Sequence, residues 1–203
     1  MKDEVTLQLF IEEGSDVSTD AEVVAQSLAQ MTPKIHVETE RVKGGKSQRM
    51  KDLKVEHLPC IVLTKGDFSR IRYYGAPLGY ELPPFADAIL ELSVGTPHLA
   101  HLARESLSKT CHKMSIKVFV TTSCPFCAMV ARHSYRAAIG SLLATTEVID
   151  SSVFLELAVK HSVMAVPKMI LNDALDITGA VDEVEFFEKL RDADYALRDS
   201  MYG

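Results

Sequence analysis

Residues Val118 to His133 read VFVTTSCPFCAMVARH, and how the two cysteines of this stretch are understood decides the fold. A β-branched run, Ile116–Thr121, precedes them, and an apolar segment with helical spacing, Ala128–Leu143, follows. Cys124 and Cys127 therefore fall where a strand gives way to the first turn of a helix. Pro125 suits that turn, because it fixes φ and lacks an N–H that would have no helical partner. Three readings are open: a redox-active dithiol, half of a metal site, or two core cysteines. Free N–H groups at a helix N-terminus favour negative charge. Thiols in Cys-x-x-Cys motifs ionise at about 3.5–7.5, against about 8.5 for a free thiol. On the redox reading Cys124 is the nucleophile, and Cys127, the less exposed, resolves the mixed disulfide. Cys111 and His112 upstream supply further metal-ligand types, so a metal or iron–sulfur site is the second reading. Those two are adjacent rather than spaced as on a knuckle. Core packing gives no reason for the intervening proline.

The bulk of the chain narrows its setting. Its 203 residues suit one ordinary domain or two small ones. The formal net charge of −6 argues against nucleic acid as a partner, since a phosphate binder concentrates lysine and arginine. The one basic cluster, RVKGGKSQRMKDLK from Arg41 to Lys54, has two glycines and no aromatic residue and reads as a solvated loop and turn. No apolar run approaches the ~20 residues of a membrane helix. The N-terminal MKDEVTLQLF has acids where a signal peptide carries basic residues. A cytoplasmic location is expected. Four cysteines are too few for a disulfide scaffold at this length, so a close pair points to catalysis or metal binding.

An internal repeat changes the reading most. With Phe10 placed on Phe119, VTLQLFIEEGSDVSTDAEVV aligns without a gap on MSIKVFVTTSCPFCAMVARH, and Ser15 and Ser18 fall on Cys124 and Cys127. Downstream, HLPCIVL matches AVPKMIL, with Pro59 lying 44 positions after Ser15 and Pro167 lying 43 after Cys124. Each half reads as strand, helix, strand, short helix, strand, strand, helix. In the second half Thr146–Asp150 is strand-like, and Val153–His161 is a short helix after two serines suited to capping it. Lys168–Asn172 and Leu175–Thr178 form a hairpin around Asp173. Asp182–Leu190 closes the unit, with Asp182 and Glu185 spaced as a capping box. Between the halves, GTPHLAHLARESLSK predicts a helix with Thr96 as cap and Pro97 at its first position. Pro167 stands directly before a strand, where a cis bond makes a tight turn. If that turn faces Cys124, the Val166 backbone can pair with an extended substrate segment.

These residues resemble the thioredoxin superfamily. TTSCPFC, VMAVP and YYGAPLGYEL are similar to motifs of the tandem, glutaredoxin-like protein disulfide oxidoreductases of archaea and thermophilic bacteria. The layout also resembles the N-terminal domain of the flavoprotein subunit of alkyl hydroperoxide reductase, whose first unit has lost its cysteines. The resemblance implies an α/β chain of two fused thioredoxin-like units, each a mixed central sheet flanked by helices, spanning 1–94 and 95–203. The first unit, with SDVS at the motif position, is then redox-inactive. Catalysis falls to Cys124 and Cys127, with Pro125, Phe126, Val166 and Pro167 at the substrate. Electrons are expected to pass from a thioredoxin-reductase-type flavoprotein to a peroxiredoxin or other protein disulfides, without a resident cofactor, since the chain has no G-x-G-x-x-G. A docking or chaperone-like role for the redox-inactive unit is a further alternative. Glutaredoxins carry Gly-Gly-x-Asp for glutathione, whereas TGAVDE keeps Gly179 and Asp182 with Ala180 between. Of the remaining candidates, Cys60 reads as a buried small hydrophobe and Cys111 is left without a role. His133 is expected on the surface, and His161 near a helix C-terminus.

Overall fold

Alternation along the strands decides which face each residue takes. A computed structural model describes residues 1–202, with side chains through Tyr195. In β1 (Val5–Glu12), Val5, Leu7, Leu9 and Ile11 enter one core, and Phe10 enters another on the opposite face. The same alternation recurs in β5 (Met114–Val120), where Ile116, Val118 and Val120 oppose Phe119. The other strands are β2 (Ile35–Val42), β3 (Cys60–Lys65), β4 (Phe68–Tyr74), β6 (Ala144–Asp150), β7 (Lys168–Leu171) and β8 (Leu175–Thr178). The larger core is covered by α1 (Asp16–Met31), α3 (Leu82–Val94), α4 (His101–Ser108), α5 (Pro125–Gly140) and α7 (Glu183–Tyr202). The smaller lies under α2 (Gln48–Asp52) and α6 (Leu155–Lys160). No described helix is long and apolar enough to cross a membrane.

The repeat is a repeat of topology. β1 pairs parallel with β2 and antiparallel with β3, which pairs antiparallel with β4. β5 does the same with β6, β7 and β8. Ser15 caps α1 by accepting the Ser18 N–H at 3.4 Å, as Cys124 Sγ accepts the Cys127 N–H at 3.2 Å at the head of α5. Leu58–Pro59 and Val166–Pro167 are both cis. Pro59 O accepts from Gly75 N at 3.0 Å, and Pro167 O from Gly179 N at 2.8 Å. The fold is thus two thioredoxin-like units, and their sheets are fused. β4 runs parallel to β6, Ile71 opposite Thr146 and Tyr74 opposite Ile149, giving the eight-stranded order β2-β1-β3-β4-β6-β5-β7-β8.

Three local expectations are corrected. The connecting helix starts at His101 rather than at Thr96–Pro97. Pro97 and Leu99 instead pack on Gly140, where a Cβ would meet Pro97 Cγ at 3.1 Å, and Ala100 N–H is taken by Glu183 at 2.9 Å. The serines before α6 do not cap it. Ser152 donates its N–H and hydroxyl to Asp150 Oδ1, and the helix begins at Leu155. Within the basic stretch, Gln48–Asp52 is helical, held by the Ser47 cap and by Met50, which is buried. Asp182 accepts the Glu185 N–H at 2.9 Å as the spacing suggests, but α7 runs well past Leu190.

Candidate active site

The dithiol site is assembled at one end of the sheet. β5 ends at Val120, and a turn closed by Cys124 N–H on Thr121 O at 3.1 Å delivers Cys124 as the N-cap of α5. Cys124 has extended dihedrals (φ −98°, ψ 110°), and Pro125 takes the first helical position. Cys124 is half-buried and Cys127 fully buried, while Phe126 between them stays 61% exposed. β7 is antiparallel to β5, with Lys168 opposite Phe119, so Val166 and Pro167 run beyond that pair towards the same end of the sheet. Pro167 is buried and Val166 half-buried. Cys124 and Val166 pack against the same core.

One functional candidate escaped the sequence reading, and it comes from the other unit. Between β4 and α3 a short 3-10 turn, Gly79–Glu81, lies against the loop that precedes Cys124. Tyr80 N–H donates to Thr122 O at 2.9 Å. Gly79 has φ +52°, and a Cβ there would stand 2.5 Å from Thr122 O, so glycine alone lets the two backbones meet. Glu81 turns inward and is fully buried. Its two carboxyl oxygens, Tyr73 Oη and Tyr135 Oη have no hydrogen-bond partner among the described residues. Burial, reinforced by Asp150, pushes the Glu81 carboxyl up to about 8. Burial also holds the Cys127 thiol well above its ordinary range, with the Cys124 sulfur and the Glu81 charge adding to it. Tyr73 is raised by burial and then by Glu81, and Tyr135 by the same two causes. A buried acid that ionises near 8 thus sits within electrostatic reach of the Cys127 thiol. The signal was one acid inside the otherwise uncharged stretch YYGAPLGYELPPFA.

Other cysteines and histidines take no part in this cluster. Cys60 is fully buried, and desolvation raises its thiol. Cys111 is exposed, and its N–H and that of His112 donate to Asp194 of α7 at 3.1 and 2.7 Å. Among the described residues no group of three or more His, Cys, Asp or Glu is placed to hold a metal ion. His133, expected on the surface, is instead 5% exposed against Phe186, with ring centroids 5.7 Å apart. Burial brings its imidazole down to about 4. The reading failed because α5 is covered on two sides, by α3 and by α7, so positions off the sheet-facing stripe are buried too. His161 caps α6, as its position suggested, and its ring lies against Phe119 at 5.3 Å.

Comparison with known proteins adds the following. A thioredoxin-domain family model matches residues 114–192. A probable thioredoxin of Methanothermobacter thermautotrophicus is 31% identical over 81 residues, which make up 39% of this chain and 94% of that protein. The NTD_N/C domain of alkylhydroperoxide reductase AhpF from Enterococcus faecalis superposes with a TM-score of 0.85 at 25% identity, over 94% of this chain and 92% of that one. A protein disulfide oxidoreductase from Aeropyrum pernix superposes with a TM-score of 0.83 over 97% of this chain and 88% of that one. At 22% identity its likeness is one of fold.

Proposed function

The chain belongs to the thioredoxin family, and on that footing we propose that it passes electrons by dithiol–disulfide exchange through Cys124 and Cys127. It is a thiol–disulfide oxidoreductase acting on protein disulfides. The observation that carries the reading is the thiol pair at the head of α5, where Cys124 Sγ meets the Cys127 N–H at 3.2 Å with one sulfur accessible and the other buried. Cys124 attacks one sulfur of a partner disulfide. The partner S–S bond breaks, its leaving sulfur takes a proton, and a Cys124–partner disulfide remains. Cys127 then loses its proton to the Glu81 carboxylate through one bridging water and attacks Cys124 Sγ. The second partner thiol leaves, the chain keeps a Cys124–Cys127 disulfide, and two electrons have moved. An external dithiol restores the pair by the same steps reversed.

In this reading residues 1–94 form a redox-inactive unit and 95–203 the active one, since Ser15 and Ser18 cannot exchange electrons. Pro125 and Phe126 on the helix head, and Val166 and Pro167 beside it, contact the substrate segment. The donor is a thioredoxin-reductase-type flavoprotein and the acceptor a peroxiredoxin or another protein disulfide in the cytoplasm. The AhpF likeness supports a redox partner of that kind. Cys127→Ser is the test, because an exchange stopped after its first step leaves the partner attached. Incubated with an oxidised peroxiredoxin or with insulin, this variant should accumulate a covalent adduct that dithiothreitol releases. A variant whose Cys124 alkylates readily but traps neither protein would count against the proposal.

A further inference from the structure

Tyr80 belongs to the unit without a Cys-x-x-Cys pair, yet its backbone N–H is bound to Thr122 O, two residues before Cys124. Its side chain is 54% exposed and, with Gly79, Thr122 and Ser123, walls a cleft of about 470 Å³. Ala76–Tyr80 meets Thr122–Phe126 through the Tyr80–Thr122 bond, and Ser162–Pro167 leads into β7 at the same end of the sheet. None contains a charged residue, in a chain that carries 25% of them. These segments carry the exposed apolar side chains of Phe126 and Met164, the latter 94% exposed. A partner carrying charge beside its disulfide would bury that charge here without a counter-charge, which is unfavourable. A partner with aromatic or branched apolar residues beside its disulfide removes apolar surface from water on both sides. An exposed tyrosine on a fixed backbone loses little freedom on such contact and has both an apolar face and a polar tip.

Resting on the dithiol–disulfide reading above, we propose that Tyr80 is a specificity-determining residue that the unit without a Cys-x-x-Cys pair contributes to the active site, selecting polypeptide disulfides with apolar flanks over small disulfides. The backbone bond to Thr122 and the glycine contact at residue 79 hold the turn independently of the tyrosine ring, so the ring can be removed while the loop before Cys124 stays in place. The test compares insulin with bis(2-hydroxyethyl) disulfide, which has no flanking side chains for the ring to contact. In the full chain Tyr80→Ala should raise KM for insulin about tenfold, the size of effect seen for an interface aromatic. It should change kcat for insulin, and KM for the small disulfide, by less than about twofold. Tyr80→Phe should restore the insulin KM. Equal losses on both substrates, or no change on insulin, would overturn the proposal. If the unaltered chain turned over neither substrate, the exchange reading itself would fail.

Discussion

Cys124→Ser is expected to abolish dithiothreitol-driven reduction of a protein disulfide, lowering the rate by roughly 10³-fold or more, because no covalent route remains once the nucleophile is gone. A hydroxyl does not ionise at neutral pH and cannot form the mixed disulfide. The loss should be chemical rather than structural. Ser15 shows that serine caps the corresponding helix of the first unit, accepting the Ser18 N–H as Cys124 accepts that of Cys127. Insulin reduction with Cys111→Ser alongside checks the assignment. That second variant should stay within about twofold of the unaltered chain, since Cys111 belongs to neither the cluster nor the core. Activity surviving Cys124→Ser would place the nucleophile elsewhere.

Glu81→Gln should act in opposite directions on stability and on turnover. The Glu81 carboxyl ionises near 8 in the folded chain and near 4.5 when unfolded. Between those values the unfolded state has lost a proton that the folded state keeps, so stability falls as pH rises and is fully present only below about 4.5. Summed over that window the loss is roughly 4 kcal/mol. Glutamine does not titrate, so the variant should be about as stable as the unaltered chain at pH 4.5 and more stable at pH 8. Chemical denaturation of both proteins at the two pH values measures the difference. His133 has the opposite dependence, losing stability as pH falls from about 6.5 to about 4, and it cancels because both proteins contain it. The same variant should slow resolution by Cys127 roughly 10²-fold, as expected for loss of a general base. Parallel stability curves with unchanged resolution would remove Glu81 from the mechanism.

What the sequence made legible is chemistry written in residue types at short spacing. Cys-Pro-Phe-Cys after a β-branched run, a proline before a strand, and the serine pair at the same register in the first half expose the repeat and the thioredoxin-like units. The fusion of the two sheets was not legible, because β4 meets β6 edge to edge through backbone hydrogen bonds that leave no side-chain signature. Glu81 was hidden for the same reason. Only the joined sheet brings a turn of one unit behind the cysteines of the other, 46 residues further along the chain at Cys127. His133 shows a different limit, since helical spacing predicts the stripe that faces the sheet but not the faces that neighbouring helices cover.

The most direct test of the central claim is a redox titration of the full chain, with Cys124 and Cys127 followed by thiol alkylation. The account predicts one two-electron transition, with both cysteines changing together, between about −270 and −200 mV, the range of cytoplasmic thioredoxins and glutaredoxins. Alkylation of Cys124 and Cys127 that does not change with potential would contradict it.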